Sequence, residues 1–210
     1  MMKHVLRLAS LLALFALWSP TPVPAQTLPE WIAPLRDGGH VIVFRHGATY
    51  PDQADTDPFN LANVDKQRQL NDAGRAKAKE IGEAFRKLRI PVGQVHTSLL
   101  YRAIETGKLM FPDITPMTTI DLVETSLISS PNENARRNAA MRKLASSVPP
   151  AGTNVVVVSH RPNILDAFGK DWFDIREGEA SVFKPDGNGS YRFIVRVQAD
   201  EWAKFAQTAN

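Results

Sequence analysis

The sequence predicts an α/β fold, a three-layer sandwich in which a central, mainly parallel sheet is flanked by helices and followed by a terminal β-hairpin. Three observations carry this. Two β-branched runs, "HVIVF" from residue 40 and "NVVVVSH" from residue 154, stand far apart in the chain. Between them lie stretches with helical periodicity and their own start signals, and after them two short β-rich runs flank the Gly-containing turn "DGNG". Four consecutive valines suit a strand covered on both faces, the usual state of a central parallel strand, and alternation of such strands with helices builds a sheet with helices on each side.

The chain opens "MMKHVLRLASLLALFALWSPTPVPA", with Lys3 and Arg7 ahead of an apolar run from Leu8 to Trp18 and a Pro-rich stretch ending in Val23-Pro24-Ala25. A basic start, a short apolar core and a small-residue cleavage pattern predict a secretory signal peptide over 1–25, too short in its apolar part to be a membrane span. Residues 26–210 are then read as one domain, periplasmic or secreted, with no stable membrane insertion after cleavage. Losing Lys3 and Arg7 takes the formal charge from +3 to +1, which leaves no broad basic field and gives no support to nucleic-acid binding. The chain has no cysteine, which removes disulfides, thiolate metal sites, a lipidated N-terminal Cys and a Cys nucleophile together.

A leading segment, "LPEWIAPLRDGG", closes on a Gly pair before the strand at Val41, Ile42 and Val43. "LNDAGRAKAKEIGEAFRKL" places Ile81, Ala84, Phe85 and Leu88 on one helical face behind an Asn71/Asp72 start signal. "PVGQVHTS" and "MTTIDLV" read as short strands. "SPNENARRNAAMRKLASS" reads as a helix with Ser130 and Glu133 forming a capping box and Pro131 at the first helical position. "EASVFKP" and "SYRFIVRVQ" form the hairpin arms. The stretch from Ala48 to Gln69 is long and polar, and its place just after residues 45–47 predicts a solvated, substrate-selecting loop.

Ligands of open α/β sheets bind beyond the carboxyl ends of the strands. Arg45, His46 and Gly47 stand at one such end, and Ser159 and His160 at another. "SLLYRAIET" puts Arg102 in the first turn of a helix, where anions are already favoured. "RHG", "LNDAGRAKA", "TSLLYRAIET" and "VVVVSH" occur in the order and spacing of the histidine phosphatase superfamily, and residues 40 to about 200 resemble that superfamily, which includes phosphoglycerate-mutase-like and acid-phosphatase-like branches. The resemblance implies a phosphoryl-transfer enzyme whose nucleophile is His46, with Arg45, Arg102 and His160 completing a phosphate pocket.

Elementary chemistry agrees with those roles. A phosphoryl group spreads charge over three oxygens and needs fixed cations and an in-line neutral imidazole nitrogen. The forks of Arg45 and Arg102 suit those oxygens, His160 can hold a further one, and Gly47 lets the backbone come close beside His46. These side chains neutralise phosphate themselves, so no metal and no cofactor is expected. His40 and His96 are expected to be structural.

The leaving alkoxide needs a proton. The resemblance to the acid-phosphatase branch would place an Asp after the second histidine, but the chain reads "SHRPNI", with Arg161 there. The mutase-like branch implies Glu124 in "DLVETS" as proton donor, with Glu179 in reserve. Asn163 is expected either to touch substrate or to fix a loop. The reading is an exported, metal-independent phosphomonoester hydrolase acting on a small phosphorylated substrate through phosphohistidine. The alternatives are a non-catalytic phospho-ligand-binding protein of the same fold and a phosphoglycerate-mutase-type phosphotransferase.

Overall fold

The computed structural model describes residues 27–124 and 130–209. The predicted signal peptide lies outside the described residues. Among them, no helix is long and apolar enough to cross a membrane.

Six strands form one sheet in the order β3-β2-β4-β1-β5-β6: β1 Val41–Arg45, β2 Val92–Ser98, β3 Met117–Thr119, β4 Asn154–Ser159, β5 Ala180–Pro185 and β6 Tyr191–Val197. The first four are parallel where they pair, while β5 runs antiparallel to β1 and β6 antiparallel to β5. The two valine-rich runs are therefore neighbours in the middle of the sheet, and every residue of β4 is buried. Side chains alternate across a strand. Val156 and Val158 accordingly point into one core layer with Ile42 and Phe44, and Val155 and Val157 into the other with Val41 and Val43.

The first layer is closed by α1 (Ile32–Arg36), α2 (Asp72–Leu88) and α3 (Tyr101–Met110), and the second by α4 (Pro131–Ser146) and α5 (Arg161–Phe168). The start signals work as the sequence indicates. Asn71 caps α2 by accepting from the Gly74 N–H at 2.7 Å. Ser130 and Glu133 complete their reciprocal capping box at the head of α4. Each cap satisfies donors that the helix itself leaves unpaired.

Two parts differ from the sequence reading. The run "MTTIDLV" is a strand only through Thr119, because the Thr119 hydroxyl accepts from the Asp121 N–H and turns Ile120–Leu122 into a short 3-10 helix. The hairpin is followed by a further helix, α6 (Ala199–Thr208), which carries Trp202, fully buried against Phe44 and Phe85. Its signal was present in the Gln198/Glu201 capping box.

Helix α2 approaches the segment after β1 so closely that only glycine fits. A Cβ added at Gly74 would stand 2.1 Å from the Ala48 carbonyl oxygen, and one at Gly47 would stand 3.1 Å from the Gly74 carbonyl oxygen. Gly74→Ala should therefore push the helix start away from residues 47–49 and destabilise the protein by about 1–3 kcal/mol, the usual cost of overpacking. Urea titration reads this as a lower midpoint at unchanged slope, and an unaltered midpoint would show that the loop yields freely.

Candidate active site

Strands β1 and β4 end together. Arg45 pairs with Ser159 in register, and the His46 N–H donates to the Ser159 carbonyl at 3.0 Å. The two residues that follow, His46 and His160, thus emerge side by side with ring centroids 5.2 Å apart. They open onto a cavity of about 350 Å3, lined also by Arg45, Arg68, Glu124, Arg161 and Pro162.

His46 is 2 % exposed, and its Nδ1 lies 2.8 Å from the Gly47 carbonyl oxygen. A carbonyl only accepts, so Nδ1 carries the proton and Nε2 keeps its lone pair. Burial first, then the Arg102 guanidinium, holds the ring well below its usual pKa and hence neutral at pH 7. The backbone N–H of Gly47 donates to the Thr106 hydroxyl at 3.0 Å, which fastens this turn to α3.

His160 is buried by the same means, and burial followed by Arg102 and His46 lowers its pKa as well. Its Nε2 lies 2.7 Å from the Ser98 hydroxyl, which already accepts from the Leu100 N–H at 3.0 Å. With Ser98 donating to Nε2, the imidazole proton sits on Nδ1, on the side where a Glu124 oxygen stands 4.0 Å away. That Nδ1 is buried and has no hydrogen-bond partner among the described residues. The sequence reading did not single out Ser98, although it begins the quoted S-x-x-x-R run.

Arg102 is fully buried in the first turn of α3. Its Nη2 donates to Glu124 at 2.8 Å and its Nη1 to Asp55 at 2.9 Å, while its Nε has no partner among the described residues. Arg45 is held by the Ile175 carbonyl at 2.8 Å and by Glu177 at 3.4 Å, and its buried Nε is likewise unpartnered there. Arg45 Nε, Arg102 Nε and His160 Nδ1 are thus buried donors without a hydrogen-bond acceptor among the described residues, a costly state that an anion relieves, although Arg102 stands behind the side chains that line the cavity.

Glu124 is the one carboxylate among the described residues lining the cavity, with an oxygen 4.0 Å from His160 Nδ1. Asn163 donates from Nδ2 to the Val123 carbonyl at 2.8 Å, so it fastens the segment that carries Glu124. Glu179 is elsewhere: its fully buried carboxylate accepts from Arg196 and from the Arg176 N–H. His40 bonds to the Gly38 carbonyl through Nδ1, and neither it nor His96 lines the cavity.

The loop from Ala48 to Gln69 is largely solvated, as expected, but parts of it turn inward. Gln67 is buried and its side chain accepts from the Tyr101 N–H at 2.7 Å, and Asp55 reaches inward to Arg102. No local pattern marks Asp55 among the other aspartates of the loop, since its partner lies in a helix 47 residues onward.

No family model matches the chain, and no curated protein sequence matches it. Solved structures do. A protein histidine phosphatase, SixA, bound to tungstate aligns with a TM-score of 0.57 at 16% identity, over 77% of this chain and 98% of its own. The chain shares the α/β fold of that phosphatase. An Escherichia coli protein assigned as an α-ribazole-5′-P phosphatase has a TM-score of 0.54 at 15% identity over 77% and 98% of the two chains. A phosphoserine phosphatase from Entamoeba histolytica, in complex with 3-phosphoglyceric acid, gives 0.50 at 15% identity over 76% and 96%. Within this shared fold, the cavity lies beyond the carboxyl ends of β1 and β4.

The two site histidines make stability depend on pH. Both have folded-state pKa values below the ordinary 6.5, so the unfolded chain binds more protons once the pH drops under that value. Stability is complete above pH 6.5 and is lost as pH falls toward the folded-state values, at about 1.4 kcal/mol per pH unit for each histidine. Thermal midpoints should decline from pH 7 to pH 5.5, and His160→Asn should flatten the decline. An unchanged slope in that variant would mean that His160 is not buried as neutral imidazole.

Proposed function

We propose that the protein is an exported, metal-independent phosphomonoester hydrolase that works through a phosphohistidine on His46. The observation that carries this is the neutral His46, with Nε2 free, beside the buried, unpartnered donors Arg45 Nε, Arg102 Nε and His160 Nδ1. The fold likeness to a protein histidine phosphatase supports the same reaction class.

Phosphoryl oxygens take the three donors, and His46 Nε2 attacks phosphorus in line as the ester P–O bond breaks. Glu124 gives its proton to the departing alkoxide. Water then attacks the phosphorus of the phosphohistidine, the N–P bond electrons return to Nε2, Glu124 recovers a proton from the water, and phosphate leaves. Charge is balanced by guanidinium groups throughout.

Phosphate release from para-nitrophenyl phosphate, undiminished by EDTA, is the direct test. Absence of turnover would favour the second reading, a phospho-ligand-binding protein. Arg161 in place of the acid of "HD" and the double pairing of Arg102 by Asp55 and Glu124 are what favour it.

The role of Glu124 has its own signature. Glu124→Gln should slow an alkyl phosphate at least about 10-fold more than para-nitrophenyl phosphate, whose phenolate leaves without a proton, in keeping with the usual worth of general acid catalysis. Equal losses on both substrates would remove Glu124 as donor.

A further inference from the structure

We propose that Arg68 and Arg161 form a second anion subsite beside the phosphoryl pocket, so that the favoured substrate is a small phosphomonoester carrying a second oxyanion. The inference deepens the phosphatase reading above and rests on it for the position of the phosphoryl group.

The cavity is lined by three guanidiniums, two imidazoles and a single carboxylate among the described residues. Arg45 is paired with Glu177, and Arg102 behind it with Asp55 and Glu124. Arg68 and Arg161 form no salt bridge with a carboxylate of the described residues. They crowd Arg45, each making its protonated form less favourable in addition to the effect of burial. The unpartnered Nε atoms of Arg45 and Arg102 and His160 Nδ1 supply donors to one phosphoryl group, and the guanidiniums of Arg68 and Arg161, which line the same cavity, stay available to a second oxyanion.

The backbone of Arg68 and the guanidinium of Arg161 each have a contact that places them. The Arg68 N–H donates at 3.0 Å to the same Asp55 oxygen that receives Arg102 Nη1 at 2.9 Å. One carboxylate therefore ties the backbone of Arg68 to the fully buried arginine of the phosphoryl pocket. Arg161 is the first residue of α5, and its guanidinium lies over the Phe173 ring with 5.8 Å to the centroid, a cation–π contact that holds the charge in place. A helix start disfavours a cation, so nothing in α5 itself calls for arginine there. Planar forks of this kind suit a carboxylate or a phosphate equally.

The test compares 3-carboxyphenyl phosphate with 3-carbamoylphenyl phosphate, which match in shape and differ by one charge. In the native protein kcat/KM should favour the carboxylate, and in Arg161→Gln and Arg68→Gln that ratio should fall about 10-fold, the size of one charge-assisted bond. A ratio is insensitive to uniform damage in either variant. A third arm, 1,3-phenylene bisphosphate against phenyl phosphate, distinguishes a second phosphate from a carboxylate as the better fit. Preference in either arm, lost in the variants, supports the subsite; ratios unaltered in both variants overturn it. Binding of methylenebisphosphonate against methylphosphonate, measured by calorimetry, gives the same comparison without turnover. If no ester is hydrolysed but the bisphosphonate preference is present and lost in Arg161→Gln, the catalytic reading fails and the subsite stands. If neither phosphonate is discriminated, the subsite fails whatever the enzyme does.

Discussion

His46→Ala should abolish turnover, a loss on the order of 10^4-fold or more, as removal of a nucleophile from a site that acts as a unit does. Quenching the native protein during turnover should trap an acid-labile, alkali-stable phosphate on residue 46, and the variant should trap none. The geometry makes this a demanding test. With Nδ1 committed to the Gly47 carbonyl, only Nε2 can accept phosphorus, and the low pKa keeps that nitrogen unprotonated at neutral and mildly acidic pH. Wild-type turnover in the variant would end the phosphohistidine mechanism outright.

Arg102→Ala should be costly in two separable ways. Loss of a charged donor to the developing transition state removes about 3 kcal/mol, or roughly two orders of magnitude in kcat/KM. Loss of the cation also takes from Asp55 and Glu124 the buried guanidinium that both bond, and breaking buried pairs of this kind destabilises by about 3–5 kcal/mol. The double variant Arg102→Ala/Asp55→Asn should recover part of the stability and none of the rate. Recovery of both would mean that Arg102 serves only to neutralise Asp55. Arg102→Lys should restore little activity, because an ammonium cannot reproduce the fork held by two carboxylates.

Much of this was legible in the sequence because it was local. The all-valine run demanded a strand covered on both faces, and the caps at Asn71 and Ser130 marked helix starts with side-chain acceptors that the backbone needs. His46 and His160 could be assigned to strand ends for the same reason. What stayed hidden depends on meetings between distant segments. Asp55 is one acidic residue among several in a polar loop, and only the fold shows that it reaches Arg102. Glu179 is as acidic as Glu124 in sequence, yet Arg196 on the neighbouring strand β6 claims it. Trp202 was overlooked because α6 draws its stability from burial against α2 rather than from a long periodic pattern.

The side-by-side ends of β1 and β4 bear on when the molecule can first act. More than half of the chain's length lies between His46 and His160, and the bond from the His46 N–H to the Ser159 carbonyl exists only once both strands are docked. A chain emerging from synthesis, or threaded through a pore as an extended polymer, holds His46 apart from His160 and from the cavity that the two share. Under the proposed mechanism, competence requires both strands in place, and any fragment that ends before residue 154 should be inert toward phosphate esters however well its first helices form.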